Sequence, residues 1–327
     1  MKLPHRRQFL HLAAGMAALP VLPRVARAQA WPARVVRLLV GFPPGGGMDS
    51  AGRIVASRLS EVWAQQVIIE NKPGAGGTIA LDAAAHAAPD GYSLLIMAGS
   101  PATFGFLFSL GFDPVADLAP LSLVGRFPNM MVVPNSAPWR SLKDFIAYAK
   151  ANPGKINWAS PGVATTPHLA GELFKRMAGI EMTHVPYRGV AAGAMSDLLA
   201  GRIDAMFNTT GSLLQAVRAG QVRGLAVTSG ERFATAPEIP TIAESGVPGY
   251  DVESFYGLWA PARTPHEIVK RMNAGIVAML AEPAVKARFE ILGVIASGST
   301  PGELAAKARA DTELWAPIIK AANIRGE

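Results

Sequence analysis

The chain of 327 residues is 50% hydrophobic and 17% charged, which is length enough for two α/β domains with separate cores and excludes an intrinsically disordered chain. It contains no cysteine, so disulfides, thiol nucleophiles and cysteine-ligated metals are excluded together. The formal charge is +7, yet Lys2, Arg6, Arg7, Arg24 and Arg27 supply five of those charges from the first thirty residues, where no acid occurs. The basic residues that remain are scattered, and no nucleic-acid partner is expected.

Residues 1–30 read as a signal peptide. A basic start precedes an apolar run from Phe9 to Leu22, and small-residue cleavage sites follow at Ala26-Arg27-Ala28 and Ala28-Gln29-Ala30. The run is too short, and too interrupted by Pro20 and Pro23, to remain as a membrane-spanning helix. His5-Arg6-Arg7-Gln8-Phe9-Leu10-His11 is similar to a twin-arginine signal, though it lacks the hydroxyl residue before the arginines and the lysine at the end. Either export route places the mature chain in the periplasm.

From Arg34 onward, short β-rich runs alternate with helical patterns. Strands are predicted at Val35–Val40, Val67–Ile69, Ser93–Met97, Met130–Val133, Ile156–Trp158, Ile203–Phe207, Leu225–Thr228 and Tyr256–Ala260. Helices fall near Asp49–Ala64, Thr78–Ala87, Ser141–Ala151, Pro167–Ala178, Ala191–Ala200 and Ser212–Ala219. This alternation predicts βαβ units around largely parallel sheets. Ser141 and Asp144 frame one helix start, and Thr264-Pro265-His266-Glu267 another, with Thr264 as cap and Glu267 reaching back. Ile268, Met272, Ile276 and Met279 follow as an apolar stripe at helical spacing.

Two proline-bounded extended segments, Phe127–Pro134 and Glu253–Pro261, read as crossings between lobes. The expected division is 31–129 with 258–327 in one discontinuous lobe and 130–257 in the other, a two-lobed α/β fold.

The chemistry lies in loops just before helices. Gly41-Phe42-Pro43-Pro44-Gly45-Gly46-Gly47-Met48-Asp49 follows a strand and opens a helix, and Asn71-Lys72-Pro73-Gly74-Ala75-Gly76-Gly77-Thr78 repeats the arrangement. Ser160-Pro161-Gly162-Val163-Ala164-Thr165-Thr166-Pro167-His168 does so in the other lobe, with Thr166 as cap, and Pro186-Tyr187-Arg188-Gly189 precedes a fourth helix. Glycines let backbone approach a ligand, and helix N-termini offer unpaired N–H groups and positive potential. Such starts at the carboxyl ends of strands are where open α/β sheets bind ligands. Together they predict a small anionic ligand held by backbone donors.

These segments carry a resemblance. Val40–Gly46 followed by Asp49, Glu70–Gly77, Pro89-Asp90-Gly91-Tyr92, Ser160–Leu169, Val185–Gly189, Gly201-Arg202-Ile203-Asp204 and Pro237–Thr241 together resemble the substrate-binding proteins of tripartite tricarboxylate transporters, the Bug or TctC-like family. The resemblance covers essentially the whole mature chain. It implies a periplasmic, monomeric solute-binding protein of Venus flytrap architecture that captures a small carboxylate for membrane subunits, without a cofactor, a metal or catalysis. It also implies that the loops at Phe42–Asp49, Gly74–Thr78 and Ser160–His168 line the cleft, holding a carboxylate through main-chain amides, hydroxyls and water. Ala164-Thr165-Thr166 departs from the Gly-Ser or Gly-Thr frequent in relatives and adds a methyl to the pocket.

The ligand-binding candidates are Phe42, Gly45, Gly46, Asp49, Gly76, Gly77, Ser100, Ser160, Thr165, Thr166, His168, Tyr187 and Asn208. Several have plainer readings: Asp49 as a helix cap, His168 in a structural hydrogen bond, Ser100 with Thr103 in a simple turn. Two other functions fit parts of the sequence. An exported sensor would use the same cleft. A nucleotide-binding enzyme would use Gly45, Gly47 and Ser50 with Glu70, but serine replaces the last glycine of that fingerprint and Pro43-Pro44 stiffens its turn.

Overall fold

In the computed structural model, which describes residues 31–187 and 193–326, strands and helices alternate from Val36 onward. The predicted signal segment and Arg188 lie outside the described residues. Strand β1 (Val36–Val40) is buried at every position except Arg37, as expected of a strand covered on both faces. It runs parallel to β2 (Val67–Asn71) and to β3 (Ser93–Ala98). Helices α1 (Gly47–Val62) and α2 (Thr78–Ala85) supply the crossovers.

The sheet changes character at β4 (Leu118–Pro134), which is 17 residues long. From the sequence only Met130–Val133 is predicted as strand, within the extended segment Phe127–Pro134. The chain keeps β4 continuous by bulging: its register against β9 (Glu253–Pro261) shifts between Pro120 and Ser122 and again between Leu123 and Gly125. Its first part pairs antiparallel with β9 from Leu118↔Pro261 to Pro128↔Glu253. From Asn129 it pairs instead with β7 (Ala205–Thr209), and from Met130 with β8 (Val222–Val227). Beyond β7 lie β5 (Ile156–Ser160) and β6 (Met182–Pro186), joined in parallel. Strand β6 was not predicted, since Thr183, His184 and Pro186 dilute its apolar pattern.

One long strand therefore serves both halves of the sheet, and β9 returns antiparallel to it over Glu253–Pro261. The crossings are stitched by polar side chains. Asn129 donates its N–H to Thr228 Oγ1 at 2.8 Å, and that hydroxyl donates to the Val252 carbonyl at 2.8 Å. Asn129 Nδ2 reaches Ser254 Oγ at 3.3 Å.

The helices divide between the halves, with one exception. In α8 (His266–Ala281), Met272, Ile276 and Met279 are fully buried against Val36, Leu38 and Ile54. The start of α8 differs from expectation: Pro265 is its cap, and the Thr264 hydroxyl donates back to the Pro261 carbonyl at 2.7 Å. The exception is α10 (Pro301–Ala321), entered through a capping box of Thr300 and Glu303. Its Leu304 and Ala308 pack with Leu39, Leu95 and Phe255 of the first half. Its Trp315, Ile318 and Ile319 belong to the core of the second half with Trp158, Phe174 and Phe207. The C-terminal helix thus bridges both halves, where a place on the first alone was expected.

Among the described residues, no helix is long and apolar enough to cross a membrane.

Candidate ligand-binding cleft

Helices from both halves start at the wall of one cavity of about 670 Å³, among them α3 (Pro101–Leu107), whose N-terminus Ser100 caps, and four without a side-chain cap. Helices α1 and α2 come from the first half; α5 (Thr166–Ala178) and α7 (Thr210–Arg218) come from the second. Their caps are Gly46, Gly77, Thr165 and Thr209, and in none does a side chain hydrogen-bond to the helix end. Away from the cavity, Ser141 caps α4 (Leu142–Ala151) with a full capping box. Uncapped N-termini carry unpaired donors and partial positive charge, and here they converge.

The glycine loops take conformations that side chains resist. Gly45 has φ +88°, and its N–H donates to Asp49 Oδ2 at 2.9 Å. Gly77 has φ +106°, and its N–H is already spent on the Gly74 carbonyl at 2.9 Å. Gly46, by contrast, has φ −77°, so its lack of a side chain serves the cavity rather than the turn.

Of the ligand-binding candidates, Phe42, Gly45, Gly46, Gly76, Gly77, Ser100, Thr165, Thr166 and Asn208 line the cavity. Asp49, Ser160, His168 and Tyr187 do not. Asp49 is buried behind its loop, where it also accepts from Arg53 Nε at 2.8 Å and Asn71 Nδ2 at 3.0 Å. Burial would raise its pKa, but hydrogen bonds from Arg53, Gly45 and Asn71 outweigh that and hold it below the usual carboxylate range. Ser160 ties its own loop: its hydroxyl meets His184 Nε2 at 2.7 Å and accepts from the Gly162 N–H at 3.2 Å. His168 Nδ1 accepts from the Ala164 N–H at 3.1 Å, and its ring stacks on His184 at 4.1 Å. Tyr187 donates to Asp197 Oδ2 at 2.6 Å. These four brace the wall instead of facing the cavity.

On the second half, the residues at the wall have their hydroxyls partly committed. Thr165, which takes the cap position expected of Thr166, donates to the Gly162 carbonyl at 2.8 Å. Thr209 Oγ1 pairs with Ser212 Oγ at 2.8 Å. Asn208 is different. It is 2% exposed, and its Oδ1 accepts from the Thr209 N–H at 2.8 Å. That bond fixes which way the amide faces and leaves Nδ2 a buried donor with no partner.

The sequence reading missed the wall built by α10 and the segment before it. Leu292, Val294, Asp311 and Trp315 all line the cavity. The signal was present: Leu304, Ala308, Asp311, Trp315 and Ile318 form one buried stripe at helical spacing, and an acid inside such a stripe is anomalous. Burial pushes the Asp311 carboxyl up, against hydrogen bonds from Ser100 and Trp315. Among the described residues, no lysine or arginine lines the cavity. Nor does any group of three histidines or acids stand ready to hold a metal.

The chain has counterparts among known proteins. The sequence profile of the tripartite tricarboxylate transporter family receptors matches residues 51–324. The chain is 38% identical over 298 residues to the UPF0065 protein in the tcbD-tcbE intergenic region of Pseudomonas sp. strain P51, covering 90% of this chain and 88% of that one. It superposes on the structure of R. palustris Rpa4515 with adipate with a TM-score of 0.84 at 35% identity, covering 90% of this chain and 99% of that one. MatC from Rhodopseudomonas palustris with bound malate gives a TM-score of 0.81 at 30% identity, covering 88% and 100%. Such coverage spans both halves of the sheet and the cleft between them, so the chain belongs to the tripartite tricarboxylate transporter family of receptors.

Proposed function

We infer that this chain is the exported receptor that captures a small organic carboxylate and hands it to membrane subunits of a tripartite transporter. The observation that carries the reading is the convergence of four uncapped helix N-termini, two from each half, on a cavity of about 670 Å³. Helix dipoles and free N–H groups attract an anion without a cationic side chain. The buried Nδ2 of Asn208 adds a donor that the fold itself leaves unpaired. Relatives with adipate and malate support a carboxylate as the ligand class.

The reading has finer parts. The lobes divide near Pro128–Asn129 and Val252–Glu253, where strand pairing changes partner, and ligand binding draws them together. Residues 1–30 direct export to the periplasm. The receptor works as a monomer and performs no catalysis.

Two measurements test this. Mass spectrometry of the small molecule copurifying with the full chain is expected to find an organic acid. Titration with adipate, malate and NAD is expected to show binding by acids only. Binding of NAD with no acid bound would overturn the reading in favour of a nucleotide site. Export is checked by N-terminal sequencing of periplasmic protein, with a start near Gln29 or Trp31 expected and an intact Met1 in the cytosol as the contrary result.

A further inference from the structure

We propose that the cavity contains a second polar subsite, formed by Thr103 and Asp311, which selects monocarboxylates whose apolar body ends in a hydroxyl or ammonium group. The proposal rests on the carboxylate reading above and adds what lies at the ligand's other end.

Thr103 sits in α3 (Pro101–Leu107) and is 4% exposed. It borders the cavity, and its Oγ1 has no hydrogen-bond partner. A buried hydroxyl without a partner costs stability, so a partner supplied by the ligand explains its presence. One turn away, the Ser100 N–H donates to Asp311 Oδ2 at 3.0 Å. Trp315 Nε1 donates to the other oxygen at 3.1 Å. Two bonds leave a carboxylate with unused acceptor capacity, and Asp311 lines the same cavity.

The surroundings decide what this corner accepts. Leu81, Leu95, Met97 and Phe104 line the cavity and belong to one apolar cluster with Ala308, a turn before Asp311. A ligand reaching the corner therefore needs an apolar body. Among the described residues, Asp311 is the only acid at the wall, and no lysine or arginine stands there to offset it. A second carboxylate brought to Asp311 would meet a like charge in a desolvated place. A hydroxyl or ammonium group would instead donate to Asp311 and pair with Thr103.

The test is calorimetric titration of the full chain, freed of copurified ligand, with four acids of six carbons: hexanoate, 6-hydroxyhexanoate, 6-aminohexanoate and adipate. The hydroxy and amino acids are expected to bind at least tenfold tighter than hexanoate or adipate. Thr103→Val should bring 6-hydroxyhexanoate down to the level of hexanoate, leave hexanoate within twofold, and keep or raise the melting temperature of the ligand-free protein. Asp311→Asn should improve adipate at least tenfold and abolish the preference for the ammonium group. Adipate binding tightest to the parent, or a ranking unchanged in Thr103→Val, overturns the subsite while leaving carboxylate capture intact. Failure of all four acids to bind overturns the subsite, and the carboxylate reading falls with it if malate fails to bind as well.

Discussion

The two sides of the cleft meet the same anion with different chemistry. From the first half, Gly45, Gly46, Gly76 and Gly77 bring bare backbone to the wall. The second presents Thr165, Thr166, Asn208, Thr209 and Ser212. Glycine gives close approach and conformations such as the positive φ of Gly45 and Gly77, at the cost of chain entropy. Hydroxyls and amides give side-chain donors, but most here are tied to their own loops, Thr165 to Gly162 and Thr209 to Ser212. Asn208 Nδ2 stays free. The difference teaches that residue type at the wall is a poor guide to donor supply, because a hydroxyl that braces a loop has already used its proton.

The largest effect is expected from blocking the glycine side. Gly46 has φ −77°, and a Cβ there would meet nothing closer than the Pro43 carbonyl at 3.8 Å. Gly46→Leu should therefore fold, as circular dichroism would verify, while filling the space where the ligand meets α1. Losing two charge-assisted hydrogen bonds at roughly 1.5–3 kcal/mol each raises the dissociation constant by about two to four decades. Parent-like carboxylate affinity in calorimetry would remove the glycine loop from the site.

The second effect isolates the free donor across the cleft. Asn208→Asp keeps the shape and the bond from the Thr209 N–H but replaces Nδ2 with an anionic oxygen. Carboxylate binding should weaken by about 1.5–3 kcal/mol or more, roughly ten- to a hundredfold. An unchanged affinity would mean that Asn208 faces only water in the complex.

The third probes the brace behind the hydroxyl side through pH. Burial first, then the neighbouring His184 and Lys175, holds His168 at about 3; burial and Lys175 hold His184 at about 4, against 6.5 for both when unfolded. The unfolded chain thus binds more protons than the fold between these values. Stability is full above pH 6.5 and falls as the pH drops towards 4, with His168 alone costing about 2 kcal/mol near pH 5. Thermal melts across that window should show the slope, and His168→Gln should flatten it. A melting temperature constant from pH 7 to pH 4.5 would contradict neutral, buried rings.

The smallest effect belongs to Thr165→Val. Its hydroxyl holds the Gly162 carbonyl rather than facing the cavity with a free proton, so calorimetry should show about 1 kcal/mol or less of lost binding. A hundredfold loss would show that Thr165 rearranges to grip the ligand directly.

By itself the sequence determined the alternation of strands and helices, the glycine and threonine loops at helix starts, and the apolar stripe of α8. These are local matters of period, turn chemistry and backbone freedom, readable within one loop or one helix. It also singled out Phe42, Gly46, Gly77, Thr166 and Asn208, which stand near strand ends or helix starts at the cavity. Tertiary structure alone decided which polar groups face the cavity and which brace it. Asp49, Ser160, His168 and Tyr187 sit in the same loops but turn to Gly45, His184, Ala164 and Asp197, because a buried polar group is held by whichever partner the packing brings near. The unbroken β4 also needed both neighbouring strands, since bulges let it keep pairing through Pro120 and Gly125. Asp311 and Trp315 reach the cleft only because α10 packs on both halves of the molecule, and such a contact across some two hundred residues leaves no mark in any local pattern.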